Sequence, residues 1–245
     1  MISGVFAPVC YVLAAGGLLQ GLLIILTMAV PSVTETGVYP VFNFISWTPF
    51  TFLPVLLAIS ASKHFHCNPY IAAACCLALV NPVWTEMAGK IAEGENIRFL
   101  FVNLTEITYT SSVLPPLILV ALLSKLEKFL NKHLPELIRS LFTPLICLAA
   151  LVPLTIVVIG PLIQWLSNGV AAGYNLLYQM APPIAGAVVG GVWQVIVIFG
   201  IHWGMVPIVI ANFAQNGQDT LQIFIQIAVI SQMAAAFGVF LKAKD

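Results

Sequence analysis

Charge is scarce in this chain. Its 245 residues include nine Lys or Arg and nine Asp or Glu, 7% of the total, against 60% hydrophobic residues. A water-soluble domain holds about a quarter charged residues. So few charges cannot cover a surface in water, and the apolar remainder would stand exposed. The formal charges cancel, which argues against nucleic acid as a partner. A basic n-region is also missing ahead of the first apolar stretch, and that stretch is too long for the h-region of a cleaved signal peptide. No P-loop, GxGxxG, HExxH or serine-nucleophile signature occurs. Nothing forms a catalytic constellation, and no cofactor is expected. The five cysteines, Cys10, Cys67, Cys75, Cys76 and Cys147, lie mostly inside apolar runs. They read as small apolar packing residues, not as a disulfide framework.

Apolar length is what the chain has in abundance. A helix needs about 20 apolar residues to cross the hydrocarbon. Residues 5–30 qualify, and so do 41–61, with kinks expected at Pro49 and Pro54. Residues 70–84 are apolar but short. Residues 114–123 begin a span that runs on into the amphipathic "LSKLEKFLNKHL". Residues 141–166 form a long span broken by Pro144, Pro153 and Pro161. "NGVAAGYNLLYQMAPP" is mildly amphipathic and suits the membrane interface. Residues 184–201 and 221–241 complete the set. The expected fold is all-α: a polytopic membrane helical bundle with kinked and discontinuous helices.

Lysine and arginine orient such a bundle. One set of loops holds Lys63, Lys125, Lys128, Lys132 and Arg139, and the other only Lys90 and Arg98 beside Glu86, Glu93, Glu95 and Glu106. The first set is assigned to the cytoplasm, and with it both termini. The parity then demands a return crossing between 184–201 and 221–241. Only "HWGMVPIVIANFAQNG" is available. Its apolar part makes roughly 18 Å of helix against a core of about 30 Å. A re-entrant segment over 202–218 resolves the conflict, provided it is buried in protein or lines a wet cavity. Gly200, Gly204 and Pro207 suit a discontinuous helix near the midplane, the usual depth of a transporter's substrate site.

His202 sits in that segment. An ionisable group at membrane depth needs a partner or a purpose. A neutral imidazole, one donor and one acceptor, suits a pair of sugar hydroxyls, and Trp203 could offer an apolar face to a pyranose ring. The residues alone leave a second reading open, a histidine bonded to a neighbouring helix's backbone. Asn212, Asn216 and Asp219 either bind hydroxyls or form a turn, for which "QNGQD" has the chemistry. His64, His66 and Cys67 in "SKHFHCNP" invite a metal reading but lack a fourth ligand nearby, so a polar turn at the membrane edge is expected and no metal. Glu86, in "NPVWTEMAGKIAEGENIRF", directly follows a short apolar run and could line a cavity, but a solvated loop after a helix end is the expected reading.

Several long segments resemble one family in order. "ISGVFAPVCYVLAAGGLLQGLL" is similar to the first helix of the C domain (EIIC) of enzyme II of the bacterial phosphoenolpyruvate-dependent phosphotransferase system (PTS). "FTFLPVLLAISASKHFHCNPYIAAACCLALVNP" is similar to its second and third helices. The stretch from "YTSSVLPPL" to "TIVVIGP" is similar to the fourth and fifth, and "GIHWGMVPIVIANFAQNGQD" resembles the β-glucoside branch of the glucose superfamily. The resemblance covers nearly the whole chain.

It implies a sugar permease domain in the bacterial inner membrane, homodimeric, serving B (EIIB) and A (EIIA) partner domains. Such a domain takes sugar from outside and presents it to the phosphocysteine of the B domain. His202 matches the family's sugar-contacting histidine, and Trp203 and Asn212 fall in the matched segment. Scaffold helices would occupy about 1–166 and the start of the sugar-site region about 183–245. The family's Gly-Ile-Thr-Glu-Pro segment, with its sugar-binding glutamate, does not occur in the sequence, nor does a B or A domain. The expectation is therefore the N-terminal part of an EIIC domain, with no phosphoryl-transfer residue of its own. An ion-coupled secondary transporter and a non-transporting membrane fragment are the alternatives. The first would need intramembrane carboxylates, which the clear spans lack.

Overall fold

Proline and asparagine decide where the helices start and bend. The computed structural model describes residues 2–198, 209 and 219–243. Apart from one short hairpin, its regular structure is helical. Helix α1 (Ile2–Ala29) is followed by a 3₁₀ turn (Pro31–Glu35), then α2 (Val38–Thr51) and α3 (Leu53–Phe65). Next come α4 (Pro69–Leu79), α5 (Pro82–Ala92), strands β1 (Arg98–Phe99) and β2 (Val102–Asn103), α6 (Leu114–His133) and α7 (Glu136–Leu154). A π-helical turn (Thr155–Ile159) leads into α8 (Gly160–Met180), followed by α9 (Pro182–Ile198) and α10 (Thr220–Lys242). Among the described residues, five helical stretches are long and apolar enough to cross a membrane: Gly4–Ala29, Val38–Phe65, Pro69–Ala92, Glu136–Met180 and Thr220–Lys242.

The chain divides into two compact units, Met1–Pro161 and Leu162–Asp245. In the first, α3 and α6 form the centre. Leu57, Ala58 and Ala61 of α3 and Leu119, Val120 and Leu123 of α6 are wholly buried. Helix α3 packs on α1, α4 and α6, while α7 packs on α4 and α6. Helix α1 lies against α2, where Gly16 is required: a Cβ there would stand 2.7 Å from the Ser46 carbonyl oxygen. Ser46 then donates its hydroxyl to Gln20 Oε1 across the same crossing. Ser60 ties α3 to α1 by donating to the Val5 carbonyl at 2.6 Å.

The expected kink in 41–61 is a break at Phe52, with Pro54 in the first turn of α3. The short apolar stretch 70–84 is longer than the sequence suggests. It is a broken span of two helices, each opened by an Asn-Pro pair. The Asn68 side chain accepts from the N–H groups of Tyr70 and Ile71, and Asn81 accepts from Val83. Asparagine caps the free N–H groups, and proline, which has none to lose, occupies the first helical position.

Glu86 therefore lies on helix α5 and not in a loop, paired with Lys90 one turn later at 2.8 Å. Of the three prolines in 141–166, Pro144 is carried inside α7 and Pro161 inside the first turn of α8. Only near Pro153 does the ladder change, widening into the π turn. A proline ring clashes with the carbonyl four residues back, and a π turn accommodates the surplus.

In the second unit, Ala185, Val189 and Trp193 of α9 bury against Leu221 and Ala228 of α10, with Tyr174 of α8 in the same cluster. Gly186 lets the two helices approach, since a Cβ there would meet the Phe224 ring at 2.7 Å. The outer half of α10 is exposed along its length, as suits a helix surrounded by lipid.

Candidate functional site

His202, Trp203 and Asn212 lie outside the described residues, and so does the re-entrant reading of 202–218. The structure places what frames them in the chain. Helix α9 brings the backbone to Ile198, and Asp219 begins α10. Asp219 is 4% exposed, and its carboxylate accepts the Gln222 N–H, so it caps the helix. Of the two readings left open for this residue, the turn is the one the geometry carries. Beside it, Tyr174 and Thr220 share a hydrogen bond between hydroxyls at 3.4 Å. Tyr174 and Tyr178 stack with ring centroids 5.8 Å apart. The second unit thus combines aromatic faces, hydroxyls and a capped helix start in a sequence without Lys or Arg until Lys242.

One polar group of this unit escaped the sequence reading. Gln194 is the lone amide of α9, in an otherwise apolar "PPIAGAVVGGVWQVIVI". Its Nε2 is buried and has no hydrogen-bond partner. The sequence signal was there, since an uncharged run with a single amide deserves the question asked of His202.

The first unit has two chemically different ends. At one, Ser124 of α6 donates to the Phe65 carbonyl at 2.6 Å, and Glu127 accepts the Asn68 N–H at 2.8 Å. These bonds join the turn after α3 to the second half of α6, so the segments that carry Lys63, Lys125 and Lys128 meet at this end. His66 takes a left-handed φ of 56° and closes α3, with the Cys67 N–H donating to Ser62 at 3.0 Å. The "HFHC" segment is a helix C-cap. Burial, reinforced by the Glu127 carboxylate and partly opposed by Lys128, pushes the Cys67 thiol up to about 11.

The other end of the unit holds the hairpin, where Arg98 Nε donates to Asn103 Oδ1 at 2.9 Å. From there the backbone turns inward. Ile107, Tyr109 and Val113 are buried. Trp84 Nε1 donates to the Ile107 carbonyl at 3.0 Å, and Tyr109 donates to the Thr155 carbonyl in the π turn at 3.3 Å. Burial raises the Tyr109 phenol well above its ordinary range. Protein surrounds this irregular backbone, and side chains supply its partners.

Comparison with known proteins bears on all of this. The family model for the phosphotransferase system EIIC domain matches residues 3–244. Over its full length, the chain is 40% identical to a PTS system beta-glucoside-specific EIIBCA component of Dickeya chrysanthemi and covers 39% of that protein. It is 33% identical to a component of the same description from Bacillus subtilis, covering 40% of it. A sucrose-specific EIIBC component of Vibrio alginolyticus is 32% identical and is covered to 55%. The chain thus spans about two-fifths of the length of the β-glucoside relatives. No solved structure gives a significant match. The five membrane-length helices and the match across nearly every residue make one statement: the chain belongs to the EIIC family of integral membrane domains of the phosphotransferase system.

Proposed function

We propose that the chain forms the sugar-translocating part of a β-glucoside permease in a bacterial inner membrane. It passes sugar to an EIIB domain, itself charged by EIIA, which phosphorylates the sugar on arrival. The observation that carries this reading is full-length similarity at 40% to a protein described as beta-glucoside-specific, against 32% for a sucrose-specific one. Both relatives carry EIIB in their names, in line with a partner that supplies the phosphoryl group. Residues 1–166 act as a scaffold that pairs with a second copy in the bilayer, and 183–245 begin the sugar-site region. His202 contacts sugar hydroxyls as donor and acceptor, Trp203 covers an apolar ring face, and Asn212 supplies an amide. The basic end of the first unit faces the cytoplasm, supported by the hydrogen bonds that join the segments carrying Lys63, Lys125 and Lys128.

The test uses membranes carrying the complete permease with its EIIB and EIIA domains. Phosphoenolpyruvate-dependent phosphorylation of salicin should exceed that of sucrose, and His202→Ala should remove it while the protein inserts at normal levels. Equal rates in wild type and His202→Ala would reject the assigned role of the histidine, and a preference for sucrose would reject the β-glucoside reading.

A further inference from the structure

Among the described residues, one buried side-chain nitrogen or oxygen lacks a partner, and it is Gln194 Nε2. Two N–H donors are therefore withheld from water with nothing to receive them. Folded proteins rarely leave such groups, and each one asks for an unseen water, ion or ligand. The setting sharpens the question. Gln194, itself half-buried, follows buried Trp193 and precedes exposed Val195 and partly buried Ile196 and Val197, in a helix whose other side chains are apolar. An apolar residue there would pack without cost, so the amide is not explained by the packing of α9 on α10. It stands eight positions before His202 in the sequence.

We propose that Gln194 is a specificity-determining residue whose Nε2 donates to a hydroxyl of the transported sugar. This rests on the reading of the chain as a sugar permease domain. A hydroxyl supplies the acceptor lone pairs that the protein does not. An amide can also donate and accept at once, which matches neighbouring hydroxyls on a pyranose ring. A site built to hydrogen-bond a hydroxyl discriminates strongly against an analogue that lacks it, because the buried partner is then left unpaired.

The experiment compares wild type, Gln194→Leu and Gln194→Met in the complete permease, with methyl β-glucoside and its single-position deoxy analogues. Both substitutions should raise KM for methyl β-glucoside about tenfold, the effect of about one lost hydrogen bond, with kcat changed far less. One deoxy analogue should be a poor substrate for wild type and lose that handicap in both variants. Sugar-free thermal stability should be unchanged or higher, because an unpartnered buried amide has been removed, while the stabilisation by added sugar shrinks. A purely structural amide would do the opposite, lowering sugar-free stability and leaving the order of the analogues intact. Active wild type with unaltered KM and analogue order in both variants would overturn the role of Gln194 alone. Wild type that phosphorylates none of these glucosides would overturn the permease reading and this inference with it.

Discussion

Tyr109 and Gly160 illustrate how single residues hold this fold. The Tyr109 hydroxyl reaches the Thr155 carbonyl only because Gly160 leaves room. A Cβ at Gly160 would land on that hydroxyl and stand 2.9 Å from Ile107 Cδ1. Tyr109→Phe should cost about 1 kcal/mol, the worth of an ordinary hydrogen bond. Gly160→Ala should cost more, about 1–3 kcal/mol, because it overpacks a buried contact. Combining them should recover part of that loss, since the atom hit first is gone. Thermal unfolding of the four proteins in detergent measures the coupling, and strict additivity would show that the two residues do not meet.

Cys67 gives a second prediction at this scale. Its thiol is raised to about 11 from 9.0, so the neutral form is favoured in the fold. Alkylation of Cys67 near pH 8 should be about 100-fold slower than that of an ordinary thiol, by the two-unit difference. The stability that goes with the raised value is complete below about pH 9 and is lost as pH rises through about 11. A maleimide rate profile with its inflection near 9 would contradict this. None of these pairings was legible in sequence. Tyr109 reads as one aromatic in a polar loop, and nothing local says that the loop folds inward to meet a π turn some forty-six positions on.

The helical elements were more legible than the contacts between them, because hydrophobic length is a local property. The long runs at 5–30, 41–61 and 221–241 each correspond to a membrane-length helical stretch, the second broken at Phe52. Proline was the weaker guide. Pro144 and Pro161 are absorbed without a break, and only Pro153 precedes a change of helix type. A proline removes one bond, and packing on either side decides whether the helix bends. Asn-Pro proved informative, since Asn68 and Asn81 both open helices. Asn68→Ala abolishes the bonds from Tyr70 and Ile71 and should cost about 1 kcal/mol. Asn68→Asp, which keeps an acceptor, should restore most of that. An alanine variant that melts with wild type would show the cap to be idle.

Across the whole molecule, composition settled the solvent and the fold class. So few charges leave a helical membrane bundle as the natural arrangement. The orientation rests on where the charges collect. The bonds of Ser124 and Glu127 with the turn after α3 join two lysine-bearing segments that are distant in sequence. Single cysteines placed in a cysteine-free background at Lys128 and at Phe101, which is fully exposed at the hairpin tip, should label from opposite sides. An impermeant maleimide added to intact cells should reach position 101 and not 128. Labelling of position 128 from outside would invert the bundle. The candidate site was legible only through resemblance, because an imidazole in an apolar run has a structural use as well as a binding one. Gln194 passed unnoticed because amides carry no charge to flag them.

On the proposed reading, this membrane bundle delivers sugar for phosphorylation. The most direct measurement is uptake of labelled methyl β-glucoside by intact cells whose only β-glucoside route is the complete permease. The label should accumulate as the sugar phosphate, persist when an uncoupler collapses the ion gradients, and vanish in His202→Ala. Accumulation of free, unphosphorylated glucoside that the uncoupler abolishes would contradict the account and identify an ion-coupled transporter instead.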